Sequence, residues 1–225
     1  MHSTTEYSEN FYPASRIKTW QSQNGRRITL RPILPQDSGL LGQMLEGLSD
    51  ASKWFRFHGA VKSFSANRLD YMSTVDHKKH VAFVITECNG DIEHVIADAR
   101  YVIDADDSQD SAEFAIVVDD QWQHMGLGEH CMKALTNTAF QDGLRWLHGD
   151  VLAHNERMIA LMERCHFYCT PDRSDENIVH AEILLNEKNI QHEIHICQSP
   201  ILRLIQRNSY IKSFFIKNFL RSKHA

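Results

Sequence analysis

Apolar positions along the chain switch between a period of two and a period near 3.6, and the switches mark the elements. Arg27-Ile28-Thr29-Leu30-Arg31 alternates as a strand, closed by Pro32 and Pro35. Leu40, Leu41, Met44, Leu45 and Leu48 then recur at helical spacing behind Asp37, which stands where an N-cap belongs. The pattern predicts a second, short helix over Asp50–Phe57. It predicts a third behind Ser65, with Leu69, Met72 and Val75 inward. Three strands follow at Val81–Glu87, Glu93–Ile103 and Ala112–Asp119. Asn89-Gly90 supplies the first turn, and an acidic loop from Asp104 to Asp110 supplies the second connection. Helical spacing returns from Gly126 to about Gln141, with Met132, Leu135 and Ala139 inward and Gly143 as a C-terminal stop. A strand at Trp146–Leu152, a helix from Asn155 to Cys165, and strands near Phe167 and at Ile178–Leu185 close the series. This order predicts an α/β fold on a mixed sheet. Residues 1–25 are weakly patterned and read as a poorly ordered leader.

The chain has 225 residues, 42% hydrophobic and 24% charged, enough material for one sizeable core. No apolar run approaches the ~18 residues of a membrane span, which excludes an integral helical membrane protein. The polar start carries no signal-peptide pattern, and five scattered cysteines suit reduced thiols, so the expected location is cytoplasmic. The pattern divides the chain into a leader over 1–25, one domain over 26–187 and an extension over 188–225.

Charge separates that extension from the body. From Ser199 onward there are six Lys/Arg and no acid, leaving 18 Lys/Arg against 29 Asp/Glu in the first 198 residues. Ser199-Pro200 starts a helix that runs to about Arg221. At 100° per residue Arg203, Arg207, Lys217 and Arg221 fall within roughly 80° of one another, opposite Leu204, Ile205, Phe215, Ile216 and Phe219. Such a basic amphipathic helix suits its own acidic body or a second copy in a homodimer. It also suits peripheral contact with an anionic membrane, an acidic carrier or nucleic acid, the last being the least favoured.

The segment richest in chemistry runs Ala112-Glu113-Phe114-Ala115-Ile116-Val117-Val118-Asp119-Asp120-Gln121-Trp122-Gln123-His124-Met125-Gly126-Leu127-Gly128. An apolar strand ends, a turn follows, and Gly-x-Gly opens a helix whose free N–H groups and positive dipole end favour an anion. A P-loop needs Gly-Lys-Ser/Thr, and Gly128 is followed by Glu129 and His130. A dinucleotide fingerprint needs a third glycine, and position 131 is Cys. Close packing of helix on strand is the bland alternative.

Gln123-x-x-Gly126-x-Gly128 after an apolar strand resembles the pyrophosphate loop of the GCN5-related N-acetyltransferases. The helix to Gly143, the strand to Leu152, Asn155 and Phe167 fall where that family places them, so the likeness extends from Ile28 to Leu185. Within the family, Ala112-Glu113-Phe114-Ala115 and Leu48-Ser49…Phe55-Arg56-Phe57 look most like the acyltransferase domain of bacterial protein-lysine acetyltransferases. The resemblance implies a mostly antiparallel, splayed sheet flanked by helices. It implies acetyl-CoA as acyl donor, no metal, and a primary amine, a protein lysine or a small molecule, as acceptor. It also implies that Ile116, Val117 and Val118 bind the pantetheine arm through their backbones. Gln123, His124, Met125, Gly126, Leu127, Gly128 and Glu129 would hold the pyrophosphate, and Asn155 would contact the cofactor.

An alkyl amine of pKa near ~10.4 must lose a proton to attack a thioester. Glu113, ten residues before the loop Gln as in the family, is the candidate general base, expected to be partly desolvated among Phe114, Ala115 and Val117. An exposed strand-start Glu is the alternative. Many members place a Tyr seven residues after the Asn to protonate the leaving thiolate, whereas this chain has Met162, which reads as core. His166 replaces the glycine that usually precedes the Phe, at a site expected to need a left-handed backbone. Fourteen histidines invite a metal, but His192-x-x-His195-x-Cys197, His77 and His80 lack the spacing of a tetrahedral set. Two other functions remain open. One is longer-chain acyl transfer from acyl-CoA or acyl carrier protein at a membrane, and the other is a non-catalytic acyl-CoA sensor or scaffold.

Overall fold

The computed structural model describes residues 12–22, 25–90, 92–105, 110–187 and 189. The expected helix over 199–221 and the His192/His195/Cys197 group lie outside the described residues. Eight strands form one sheet: β1 Lys18–Gln21, β2 Arg27–Pro32, β3 His80–Asn89, β4 Ile92–Ile103, β5 Ser111–Val118, β6 Trp146–Leu152, β7 Tyr168–Pro171 and β8 Ile178–Leu184. Among the described residues five α-helices accompany them: α1 Ser38–Gly47, α2 Asp50–Phe57, α3 Ala66–Ser73, α4 Leu127–Gln141 and α5 Glu156–Arg164. The spatial order is β1-β2-β3-β4-β5-β6-β8-β7.

Most of the expected elements appear within a residue or two of their predicted ends, because each carries its own stop. Ser49 and Ser65 cap α2 and α3 by accepting the Ser52 and Arg68 N–H groups. Gly143 ends α4 at φ +89°, and His166 holds φ +63° behind α5, as the missing glycine required. Two expectations need correction. The weakly patterned start contains β1, which pairs antiparallel with β2 and stacks Trp20 on His130 of α4 at 4.4 Å; four residues are too few to show a period. Asp37 precedes α1 but does not cap it. Its buried carboxylate instead accepts the Leu34 N–H at 2.7 Å and both Arg31 guanidinium nitrogens at 2.6 and 2.8 Å.

The two faces of the sheet are covered differently. On one, Leu41, Met44 and Leu45 of α1, Met72 of α3, Leu48, Phe64 and Val75 pack against Ala82, Val84, Val95 and Val117. On the other lies α4, with Cys131, Met132, Leu135 and Ala139 buried and Asp142 at its end accepting the Tyr101 hydroxyl. Cys165 is buried, and Cys169 is half-buried on the edge strand β7. No helix among the described residues is long and apolar enough to cross a membrane.

Every neighbouring pair is antiparallel except β5 and β6, and this parallel pair is short. It joins only Ser111–Glu113 to Trp146–His148, after which the strands diverge. Just past the last pair Phe114 lies close against Gly149: a Cβ there would stand 3.0 Å from its ring and 3.1 Å from its carbonyl oxygen. Phe167 braces that ring edge-on at 5.3 Å.

Beyond the divergence β6 is held by β8, and His180 reinforces the pair. Its ring nitrogens lie 2.5 Å from Asp150 and 2.6 Å from Asp172. Only the doubly protonated ring donates to both, so Asp172 first and then Asp150 raise its pKa above 6.5. A raised folded pKa stabilises fully below pH 6.5 and the contribution is lost as pH rises through the folded value. NMR titration is expected to put the His180 midpoint above 6.5, and Asp172→Asn is expected to lower it. An unchanged midpoint in that variant would contradict the bridge.

Candidate active site

The wedge between β5 and β6 opens into a cleft of about 710 Å³, closed by α2 on one side and α5 on the other. Glu113 stands at its apex, at the last position where the two strands still pair. Ile116, Val117 and Val118 form the β5 wall, and Gln123, His124, Gly126, Leu127, Gly128 and Glu129 rim the mouth with Asn155 opposite. Eleven of the twelve residues singled out in the sequence therefore line one cleft. Met125 does not, since its side chain is 58% exposed.

The loop is shaped by two left-handed residues, His124 at φ +64° and Gly126 at φ +77°, that turn the chain into α4. Space is open around Gly126, so it is the backbone angle that favours glycine there. Gly128 serves packing: a Cβ would lie 2.8 Å from Leu161 Cδ2 of α5, so any larger residue there would displace the Leu161 side chain. The close-packing reading of the Gly-x-Gly thus applies to Gly128, while Gly126 supplies the turn. Glu129 and His130 donate their N–H groups to the Gly126 carbonyl at 3.1 and 3.3 Å, while those of Leu127 and Gly128 find no backbone acceptor among the described residues. Free N–H groups at the start of a 15-residue helix, rimming a cleft, fit a pyrophosphate. Glu129 is neutralised by Arg164 at 3.1 Å.

Asn155 caps α5, accepting the Met158 N–H at 3.2 Å. Met162 is fully buried and outside the cleft lining, so nothing at that position protonates a leaving group. Glu113 is exposed, against the partial desolvation expected of it; the diverging strands leave its flank open. Trp122 lines the cleft, and Trp54 is exposed on α2.

The sequence reading missed Asp120. Its carboxylate accepts the Ser49 N–H at 2.7 Å, the Ser52 hydroxyl at 2.6 Å, the Ser49 hydroxyl at 3.1 Å and the Gln123 amide at 3.2 Å. Gln123 also donates to the Val118 carbonyl and accepts from Arg157 at 3.3 Å. Its side chain is thus a strut linking β5, α2 and α5. The only signal in the sequence was Ser49 ahead of a short helix, which does not name a partner 71 positions away.

A second polar cluster lies under the β5 wall. Asp98 is fully buried, takes Arg100 Nε at 3.0 Å, and has Arg56 of α2 at 3.6 Å. Burial lowers Arg56 to about 10, the attraction of Asp98 opposing it. Phe55 reaches across the cleft to His154, with ring centroids 5.3 Å apart.

The acetyltransferase (GNAT) family model matches residues 48–167, more than half of the chain. The chain belongs to that family. It is an acyltransferase with acetyl-CoA as donor. An acetyltransferase of Pseudomonas aeruginosa is 29% identical over 157 residues, covering 69% of this chain and 83% of that protein. The acetyltransferase Pat of Mycolicibacterium smegmatis is 34% identical over 147 residues, covering 64% of this chain and 42% of that protein. The chain thus spans less than half of Pat. The GNAT domain of S. lividans PAT superposes with a TM-score of 0.68 at 25% identity, over 77% of this chain and 99% of that domain. These likenesses place the chain nearest the bacterial protein acetyltransferases within the family.

Burial alone would raise the Asp120 carboxyl, but the Ser49 N–H, the two serine hydroxyls and the Gln123 amide outweigh it and hold the group below 3.8. A lowered folded pKa stabilises above the unfolded value and is lost as pH falls through the folded one. Asp120→Ala is expected to cost about 0.5–1.5 kcal/mol at neutral pH, reduced by its exposure to solvent, with the deficit against wild type shrinking below pH 3.8. Urea denaturation at pH 7 and pH 3 checks it; an equal deficit at both would contradict the charge-assisted role.

Proposed function

We propose that the chain transfers an acetyl group to a primary amine by direct attack, with Glu113 as general base. The observation that carries this reading is the place of Glu113, at the apex where β5 and β6 part. Val118 lies five residues further along the same wall, about 17 Å by strand rise, and the phosphate-type loop follows it. A donor held by its pyrophosphate at Gln123–Gly128 and laid along Ile116–Val118 brings its acyl end to Glu113. Bound acetyl-CoA supplies an activated acyl carbon. Beyond the last paired residue the backbone of Ile116 and Val118 has no strand partner on the β6 side among the described residues, so the groups that Gln123 leaves free there orient the arm and polarise the carbonyl. The amine nitrogen bonds to the acyl carbon as the carbon–sulfur bond breaks. Glu113 takes the amine proton, directly or through water, and the thiolate takes its proton from water.

The acceptor enters from the face that carries Glu113, and Asp150 of β6 lines the same cleft. Two carboxylates suit a substrate that arrives as an ammonium ion. A protein lysine is favoured by the likeness to bacterial protein acetyltransferases, and a small amine fits the same chemistry.

Glu113→Gln keeps the shape and removes the base. It is expected to lower kcat by about 10²–10⁴-fold and leave the calorimetric Kd for acetyl-CoA unchanged, with Glu113→Asp recovering part of the rate. Full turnover in Glu113→Gln with any amine the wild type acetylates would overturn the assignment.

A further inference from the structure

Three arginines line the cleft, and two already face a carboxylate. Arg56 has Asp98 at 3.6 Å, and Arg164 has Glu129 at 3.1 Å. Arg157 faces only a neutral oxygen, Gln123 Oε1, at 3.3 Å, and has no carboxylate partner among the described residues. That oxygen belongs to a side chain fixed elsewhere: its amide is committed to Asp120, Val118 and Ser52. The guanidinium is therefore parked on a rigid support at the rim of the loop, with its charge uncompensated.

Its position on α5 makes a purely structural role poor. Arg157 is the second residue of a helix whose N-cap is Asn155. A cation in the first turn opposes the helix dipole, typically by 0.3–1 kcal/mol. The same placement is favourable once an anion arrives. The anion meets the guanidinium, the start of α5 and, across the rim, the free N–H groups of Leu127 and Gly128 at the start of α4.

The geometry points to Arg157 as the side-chain anchor for a phosphate of the CoA donor, released from Gln123 to make charge-assisted, bidentate bonds in place of one long neutral one. This inference rests on the donor reading of the cleft. It adds that the chain recognises the nucleotide end of the donor with a side chain as well as with the backbone loop. Two phosphates share the required chemistry, the pyrophosphate and the 3′-phosphate on the ribose.

Calorimetric titration of the full chain with CoA and with 3′-dephospho-CoA separates them, in wild type, Arg157→Gln and Arg157→Lys. Arg157→Gln is expected to raise the Kd for CoA about ten- to hundredfold, and Arg157→Lys to recover part of the loss. Loss with CoA alone assigns the 3′-phosphate, and equal loss with both ligands assigns the pyrophosphate. Turnover of S-acetylpantetheine, which carries no phosphate, is expected to match wild type in Arg157→Gln; a matching fall there would make Arg157 a structural support and overturn the proposal. Unchanged affinity for both nucleotides would also overturn it. Failure of the wild-type chain to bind either one would instead contradict the donor reading itself.

Discussion

The architecture of the site follows from where β5 and β6 stop pairing. A strand whose backbone groups lose their neighbour inside a protein must find other partners, because a buried unpaired N–H or C=O costs as much as a lost hydrogen bond. Here the parting comes after three paired residues, next to the point where the Phe114 ring fills the place a side chain on position 149 would take. The contact of that ring with Phe167 gives it a second anchor. The β5 edge beyond Glu113 therefore opens on a cleft, without a strand partner on that side among the described residues, and it is here that the proposed donor arm would lie.

The walls of the cleft are held to one another by polar contacts. Asp120 ties the start of α2 to the loop, Gln123 ties the loop to β5 and reaches Arg157 of α5, and Arg164 ties α5 to the start of α4. Beneath the β5 wall, Arg56 and Arg100 share the buried Asp98, which couples α2 to the sheet. Rigid backbone donors gain most of their electrostatic effect from being fixed before the substrate arrives. The Asp120–Gln123 strut fixes the loop and leaves the Leu127 and Gly128 N–H groups without a backbone acceptor among the described residues.

Much of this was legible in the residues. Caps, alternation and turn glycines marked the elements because those signals are local, and the Gly-x-Gly context marked the loop. His166 was legible as a left-handed position because a residue type stood where its backbone angle is costly. What was not legible was pairing at a distance. Nothing near Asp120 in sequence says that its partners are Ser49 and Ser52, and nothing near Asp37 says that Arg31 and the Leu34 N–H take its carboxylate. The state of Glu113 was misjudged for a related reason. Its strand neighbours are apolar, but it stands where pairing with β6 ends, which no local pattern announces.

The measurement that tests the central claim most directly is amide hydrogen exchange of the full chain with and without acetyl-CoA. The account predicts slowed exchange in two separate stretches, Ile116–Val118 on the open edge of β5 and His124–Glu129 at the start of α4, with β2 and β3 unaffected. Saturating acetyl-CoA that left both stretches exchanging at their free rates would contradict the claim that the parting of β5 and β6 is the donor site.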